Sequence, residues 1–358
     1  MINVKYLILL IFVSFACSVK SQPKTLPIGN DITLGAYYFD GWTGKTFHAT
    51  PKLKENFLDR KPIWGWVTST QRIVDKQILE AANAGLSFFT FCWYYGKSGN
   101  LSSDPKNNAL KLYLKSEKKD LIAFSLLIAN HKGYYFNKDE WEGLTEYWCS
   151  LFVDPSYLHV NEKPLISFYS VQALIDIFGS ASNVKNALAS LRRAASKKNL
   201  KGVSIAACVS STESVRLAEL CGFDIMTGYN YHDIPFKKYK SNVLSITTMQ
   251  KAEKSHWTTL ANFSEKPLIP TITLNWDKRP WENRDERASK RFSDYSSTSV
   301  TNSIKSCKEW IRVNKEHAVS EKIAILYAWN EYGEGAWLTP SKKLGNALLR
   351  GVKKGLSK

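Results

Sequence analysis

Eight short apolar runs, spaced so that helical sequence fits between them, constrain this chain more than any other feature. They occupy residues 32–39, 86–93, 121–129, 164–169, 203–209, 223–227, 268–274 and 322–329. Each is near-continuous in apolar or β-favouring residues, the pattern of parallel strands covered on both faces. Between them, apolar residues recur at helical spacing over 70–84, 106–118, 183–198, 213–221, 301–317 and 343–356. Ala84-Gly85 and Cys221-Gly222 read as helix stops just ahead of strands. Eight strands, each followed by helical sequence, predict a single (β/α)8 TIM barrel spanning residues 23–358. The connections after the first, sixth and seventh strands are long, and the seventh, 275–300, is the most polar. A doubly wound sheet is the competing fold, but it usually carries a glycine-rich phosphate turn after its first strand. Gly44-Lys45-Thr46 resembles the end of such a turn, yet Phe39 stands where the first glycine is required.

The N-terminus points to export. Residues 6–16 form an apolar run with Lys5 ahead of it, short of the roughly 20 residues a membrane span takes and of signal-peptide length. Val19-Lys20-Ser21 precedes an expected cleavage at Gln22, which makes 1–21 the signal peptide. The alternative is an imperfect lipobox, Ser14-Phe15-Ala16-Cys17, which would place a lipid anchor on Cys17. No other stretch is long enough for a transmembrane helix. Of the six cysteines five lie beyond that segment, an odd number with no CxxC pair, so buried free thiols fit better than disulfides. No metal-ligand spacing such as HExxH occurs either, and neither metal nor cofactor is expected. The net charge of +17 comes without an arginine-rich helix, zinc finger or RNA-binding motif, which argues against nucleic acid. The expected partner is a polysaccharide or oligosaccharide, met by a monomer. Lys237, Lys238 and Lys240 after the sixth strand, and Arg279, Arg284, Arg287 and Arg291 after the seventh, would favour an anionic one; a solvated basic rim is the alternative.

In a TIM barrel the active site forms at the C-terminal strand ends. Here those ends hold Tyr37, Tyr38 and Asp40; Trp93 and Tyr95; Asn130 and His131; and Tyr169. The later ones hold Tyr229, Tyr231 and His232; Trp276 and Asp277; and Asn330, Glu331, Tyr332 and Glu334. Aromatic rings can cover the apolar faces of pyranoses while the polar groups bond their hydroxyls. Core packing is the alternative for any one ring, and a satisfied structural polar for Asn130, His131 or His232.

Glu331 and Glu334 are the sharpest feature. Most E-x-x-E pairs are solvated helix faces, but this one follows an apolar strand, is flanked by Gly333 and Gly335, and is surrounded by Trp329, Tyr332 and Trp337. Glycoside cleavage needs one carboxyl protonated and another ionised, and a close like charge or apolar walls supply that split. Three residues of extended chain reach at most about 11 Å, which accommodates both inverting and retaining geometries.

At these residues the chain resembles glycoside hydrolase family 99 and its WbsX-like relatives. Ala328-Trp329-Asn330-Glu331-Tyr332-Gly333-Glu334-Gly335 looks like that group's A-W-N-E-W-x-E-G segment. The likeness extends to Gly35 through Phe39, residues 85–95, Lys163-Pro164, Pro270 through Asp277, and Leu338 with Pro340. It implies an enzyme acting within glycans on α-linked, typically mannose-type, bonds with retention. It gives Glu331 the role of base on the substrate's own 2-hydroxyl, through a 1,2-anhydro sugar, and Glu334 the role of acid and then base. Departures are His131-Lys132-Gly133 where relatives carry E-N-W, Thr339 where an acid is common, and Tyr332 in place of Trp. A non-catalytic glycan-binding barrel and a WbsX-type role in polysaccharide biosynthesis are the competing readings.

Overall fold

The computed structural model describes residues 31–96 and 100–357; the signal segment and Cys17 lie outside them. Eight strands form the centre: β1 (Thr33–Tyr38), β2 (Phe88–Trp93), β3 (Ala123–Ile128), β4 (Lys163–Phe168), β5 (Ser204–Cys208), β6 (Ile225–Thr227), β7 (Thr271–Thr273) and β8 (Ile323–Tyr327). All neighbours run parallel, in the order β6-β5-β4-β3-β2-β1-β8-β7. Closure comes from the residues just ahead of β7. Met226 N–H donates to Pro267 O at 2.9 Å, and Ile269 N–H to Met226 O at 2.8 Å. The result is the expected (β/α)8 barrel.

One long helix follows each strand: α1 (Gln71–Ala84), α2 (Asn108–Lys115), α3 (Trp141–Phe152), α4 (Ala181–Lys197), α5 (Thr212–Leu220), α6 (Ile246–Phe263), α7 (Ser297–Val313) and α8 (Ala347–Leu356). Their ends follow local chemistry. Gly85 closes α1 in the left-handed conformation, and its N–H reaches the Ala81 and Ala82 carbonyls. Ser211 with Ser214, and Ser296 with Ser299, form reciprocal caps that open α5 and α7. The Ser296 cap starts α7 four residues ahead of the sequence expectation.

Strand faces are fixed by contacts. Phe91 packs on Tyr113 of α2, and Trp93 on Tyr147 and Trp148 of α3, so this face of β2 looks outward. The alternate residues look inward: Thr90 Oγ1 meets Ser125 Oγ at 2.9 Å across the interior. The same alternation sends Tyr37 in, where its hydroxyl donates to Gly228 O at 2.6 Å, and Tyr38 out, against Phe89 and Phe91. The long connections after β6 and β7 are not independent loops. Val243–Ser245 and Arg291–Ser293 pair as a small parallel sheet that ties them together over the mouth.

Candidate active site

Beyond β8 the Tyr327–Ala328 peptide is cis, and the chain enters a tight hairpin in which Asn330–Glu331 pairs antiparallel with Ala336–Trp337. Both glutamates ride on it. The turn is pinned by groups from distant segments. Arg60 donates to Tyr332 O at 2.9 Å, and Asp277 N–H to Glu334 O at 2.7 Å. Asn275 Nδ2 donates to Gly335 O at 2.6 Å, and Trp42 Nε1 to Asn330 O at 2.8 Å. A turn held at four carbonyls is pre-organised, as precise placement of reacting groups requires.

Glu331 is only 4% exposed. Its Oε1 accepts from the Tyr229 hydroxyl at 2.9 Å, while Oε2 is buried without a partner. Glu334 is half-buried and accepts from the Tyr327 hydroxyl. Burial pushes both carboxyls above the usual range, and the charge of Glu334 pushes Glu331 further. The two tyrosine hydroxyls and Lys278 oppose those shifts. The two carboxyls titrate together, so a proton held between them belongs to the pair. A donor supplied to the free Oε2 would stabilise ionised Glu331 and move the proton toward Glu334.

Around the pair stands a cluster of rings. Tyr229 lies 5.1 Å from Tyr37, 5.4 Å from Tyr169 and 4.9 Å from Tyr327. His131 continues it, 5.4 Å from Tyr169 and 6.2 Å from Tyr94. Trp276 closes another side, but the His232 imidazole already stacks on it at 3.4 Å. Burial lowers that imidazole's pKa to about 4, so it stacks as the neutral ring.

The other expected mouth residues have different positions, and each has a physical reason. Trp93 and Tyr38 face the helix layer, as strand alternation demands. Tyr95 turns to Phe136 and Glu140. Tyr231 packs beside His256, with its hydroxyl buried, and Tyr332 bonds Thr339 beneath the hairpin. Asn130 clasps the backbone of Ser170, joining the ends of β3 and β4. Asn330 accepts from Phe39 N–H at 2.9 Å. Asp40 is buried, accepting from Ser69 Oγ and from Ala109 N–H in α2. Asp277 is neutralised by Arg60 at 2.5 Å and Arg279 at 2.7 Å. Burial would raise its carboxyl, but these arginines hold it below the usual range.

The arginine half of the basic rim is likewise spoken for. Arg279 also meets Glu286, Arg284 meets Glu282, Arg287 meets Asp285, and Arg291 donates to the Glu286 and Ser289 carbonyls. Four residues here were not among the expected site residues: Tyr94, at the end of β2; Lys278, in the polar connection after β7; Tyr327; and Arg60. Tyr94 was findable by alternation, because Cys92 faces inward with its Sγ 4.0 Å from the Tyr229 hydroxyl. Asn107 then fixes Tyr94 by bonding both its N–H and its carbonyl. Among the described residues, the five cysteines are free thiols, no three His, Cys, Asp or Glu side chains gather as metal ligands, and no helix is long and apolar enough to cross a membrane.

Fold and mouth define the class: a (β/α)8 barrel that carries a pair of glutamates at the C-terminal ends of its strands. Within it, the chain belongs to the family described as Glycosyltransferase WbsX, which it matches over residues 39–352. It is 22% identical over 389 residues to the uncharacterized protein WxcX of Xanthomonas campestris pv. campestris (strain B100), covering 96% of this chain and 52% of that one. The chain thus spans about half the length of that relative. Among solved structures it is similar to a glycoside hydrolase-like protein, with a TM-score of 0.66 at 14% identity over 94% of this chain and 98% of that one. It is also similar to the family 99 endo-α-mannosidase of Bacteroides thetaiotaomicron, with a TM-score of 0.55 at 15% identity over 92% and 96% of the two chains. At these identities the likeness is one of fold.

Proposed function

We propose that this protein is a glycoside hydrolase that cleaves α-linked, mannose-type bonds within a glycan and retains configuration. The observation that carries the reading is the hairpin itself: two carboxyls three residues apart, both raised by burial, each bonded by a tyrosine hydroxyl. Glu331 takes the proton of a substrate hydroxyl, whose oxygen attacks the anomeric carbon. Glu334 gives its proton to the departing glycosidic oxygen as that bond breaks. In the second half, water attacks the anomeric carbon and loses a proton to Glu334, and the opened ring oxygen recovers its proton from Glu331. The free, buried Oε2 of Glu331 supports the base role, since a substrate hydroxyl donating there favours the ionised form. The half-buried Glu334 suits a group that must exchange protons with leaving group and water. Export is part of the same proposal, on the strength of the apolar run at 6–16, and mass spectrometry of the mature N-terminus tests it.

A second reading follows from the family's description, which names glycosyl transfer. The same pair would then pass the sugar to a hydroxyl of another glycan instead of to water. Incubating the purified protein with a panel of polysaccharides, in the presence of acceptor sugars, and sizing products by mass spectrometry separates the two. Shortened chains with new reducing ends support hydrolysis; lengthened acceptors without them support transfer.

A further inference from the structure

Beside the glutamate pair, between the ends of β4, β5 and β6, lies a cavity of about 280 Å³. Tyr229 is the wall it shares with the catalytic hairpin, its hydroxyl on Glu331 and its ring 5.4 Å from Tyr169. Tyr169 is 37% exposed, an aromatic face presented to the cavity mouth. The volume lies just below the roughly 300–1,000 Å³ of drug-sized sites, which suits one sugar ring and not a chain of them.

Its polar lining has bonding capacity to spare. Ser170 Oγ accepts from Ala173 N–H and keeps its own proton to donate. Asn230 uses its oxygen on His232, which leaves its amide N–H groups, and Gln172 uses its amide nitrogen on Asp176, which leaves its oxygen. Ser210, exposed just beyond β5, lines the cavity as well. Among the described residues, no Lys, Arg, Asp or Glu lines the cavity. The arginines after β7 are committed to their own carboxylates or to backbone carbonyls. A carboxylate or sulfate placed in the cavity would give up part of its hydration and meet no counter-charge from these walls.

We propose that this cavity is a subsite for one uncharged pyranose, the neighbouring unit of the glycan whose bond the glutamate pair attacks. The ring lies on Tyr169, and Ser170, Gln172, Ser210 and Asn230 bond its hydroxyls. The assignment rests on the glycan-cleaving reading for what is bound, and it makes the unit in this cavity a neutral one where the basic rim led to an anionic expectation.

Titration calorimetry of the full chain with neutral trisaccharides, mannotriose first among them, tests it against their sulfated counterparts. Ser210→Trp, an exposed position, fills the cavity; Ser210→Thr keeps the hydroxyl. A neutral triose is expected to bind wild type and Ser210→Thr at least tenfold more tightly than it binds Ser210→Trp, with all three melting alike. Its sulfated form is expected to bind wild type at least tenfold more weakly. Equal binding to Ser210→Trp and wild type, tighter binding of the sulfated triose, or binding of none of the neutral trioses would overturn the subsite. Binding is read without turnover. A protein that binds a neutral triose through this cavity yet cleaves no glycan therefore sinks the hydrolase reading and leaves the subsite standing.

Discussion

Gly333 sits between the two glutamates with no room for a side chain. A Cβ built there lies 2.0 Å from Cε2 and Cζ2 of Trp281, whereas carbon atoms rest at about 3.5–4.0 Å. In Gly333→Ala either the indole or the turn must therefore move by roughly 1.5 Å. The indole is held, because Trp281 Nε1 donates to His48 O at 2.9 Å and its N–H to Lys278 O at 3.0 Å. The strain falls on the turn that positions both carboxyls. Displacement of about 1 Å in a reacting group costs on the order of a hundredfold in rate, and overpacking costs about 1–3 kcal/mol of stability. Gly333→Ala is expected to show both losses, read as turnover of the glycan found by the polysaccharide screen and as the urea midpoint. Removing the obstacle should remove the penalty, so the same alanine placed in a Trp281→Ala background should cost far less. Normal turnover and stability in Gly333→Ala, or an unchanged penalty without the indole, would refute the reasoning.

Two further outcomes follow from the buried carboxyls. Tyr229→Phe removes a donor that favours ionised Glu331, so that carboxyl rises further and the acidic limb of the pH–rate profile should move to higher pH; a limb that stays put or moves down contradicts this. Asp40 is raised by burial from 3.8 to about 7, so the stability it contributes is full below the unfolded value and is lost as pH climbs through about 7. Asp40→Asn, which can still accept from Ser69 and Ala109, should therefore gain melting temperature over wild type between pH 5 and pH 8, and a constant difference between the two would show that Asp40 is not the titrating group.

The barrel was legible because eight buried parallel strands leave eight apolar runs, and helices leave their period and their caps. Which side of each strand faces the interior was harder to read, for the same reason. Phe88–Trp93 is covered on both faces, so no polar alternation separates Trp93, which points outward, from Tyr94, which does not; Thr90 is the one clue. The glutamate pair stood out through its flanking glycines and the apolar strand before it. The polar residues beside it did not divide themselves. Asp40, Asn130, Asn330 and Asp277 are as well suited to a sugar hydroxyl as to a backbone amide, and only the fold brings Arg60 or Ala109 to them. Arg60 comes from the long connection after β1, more than two hundred positions from the turn it holds, and no local pattern marks it.

The measurement closest to the central claim is the leaving-group dependence of Glu331→Gln and Glu334→Gln. Both variants should fold, and each should lose about a hundredfold or more on the native glycan, as removal of a positioned proton-transfer group does. Glu334→Gln should recover much of its rate on an activated aryl or fluoride glycoside, which needs little protonation to depart. Glu331→Gln should not, because loss of the base impairs attack whatever leaves. Near-normal turnover of the native glycan by both variants would contradict the account, because the chemistry would then belong to other residues.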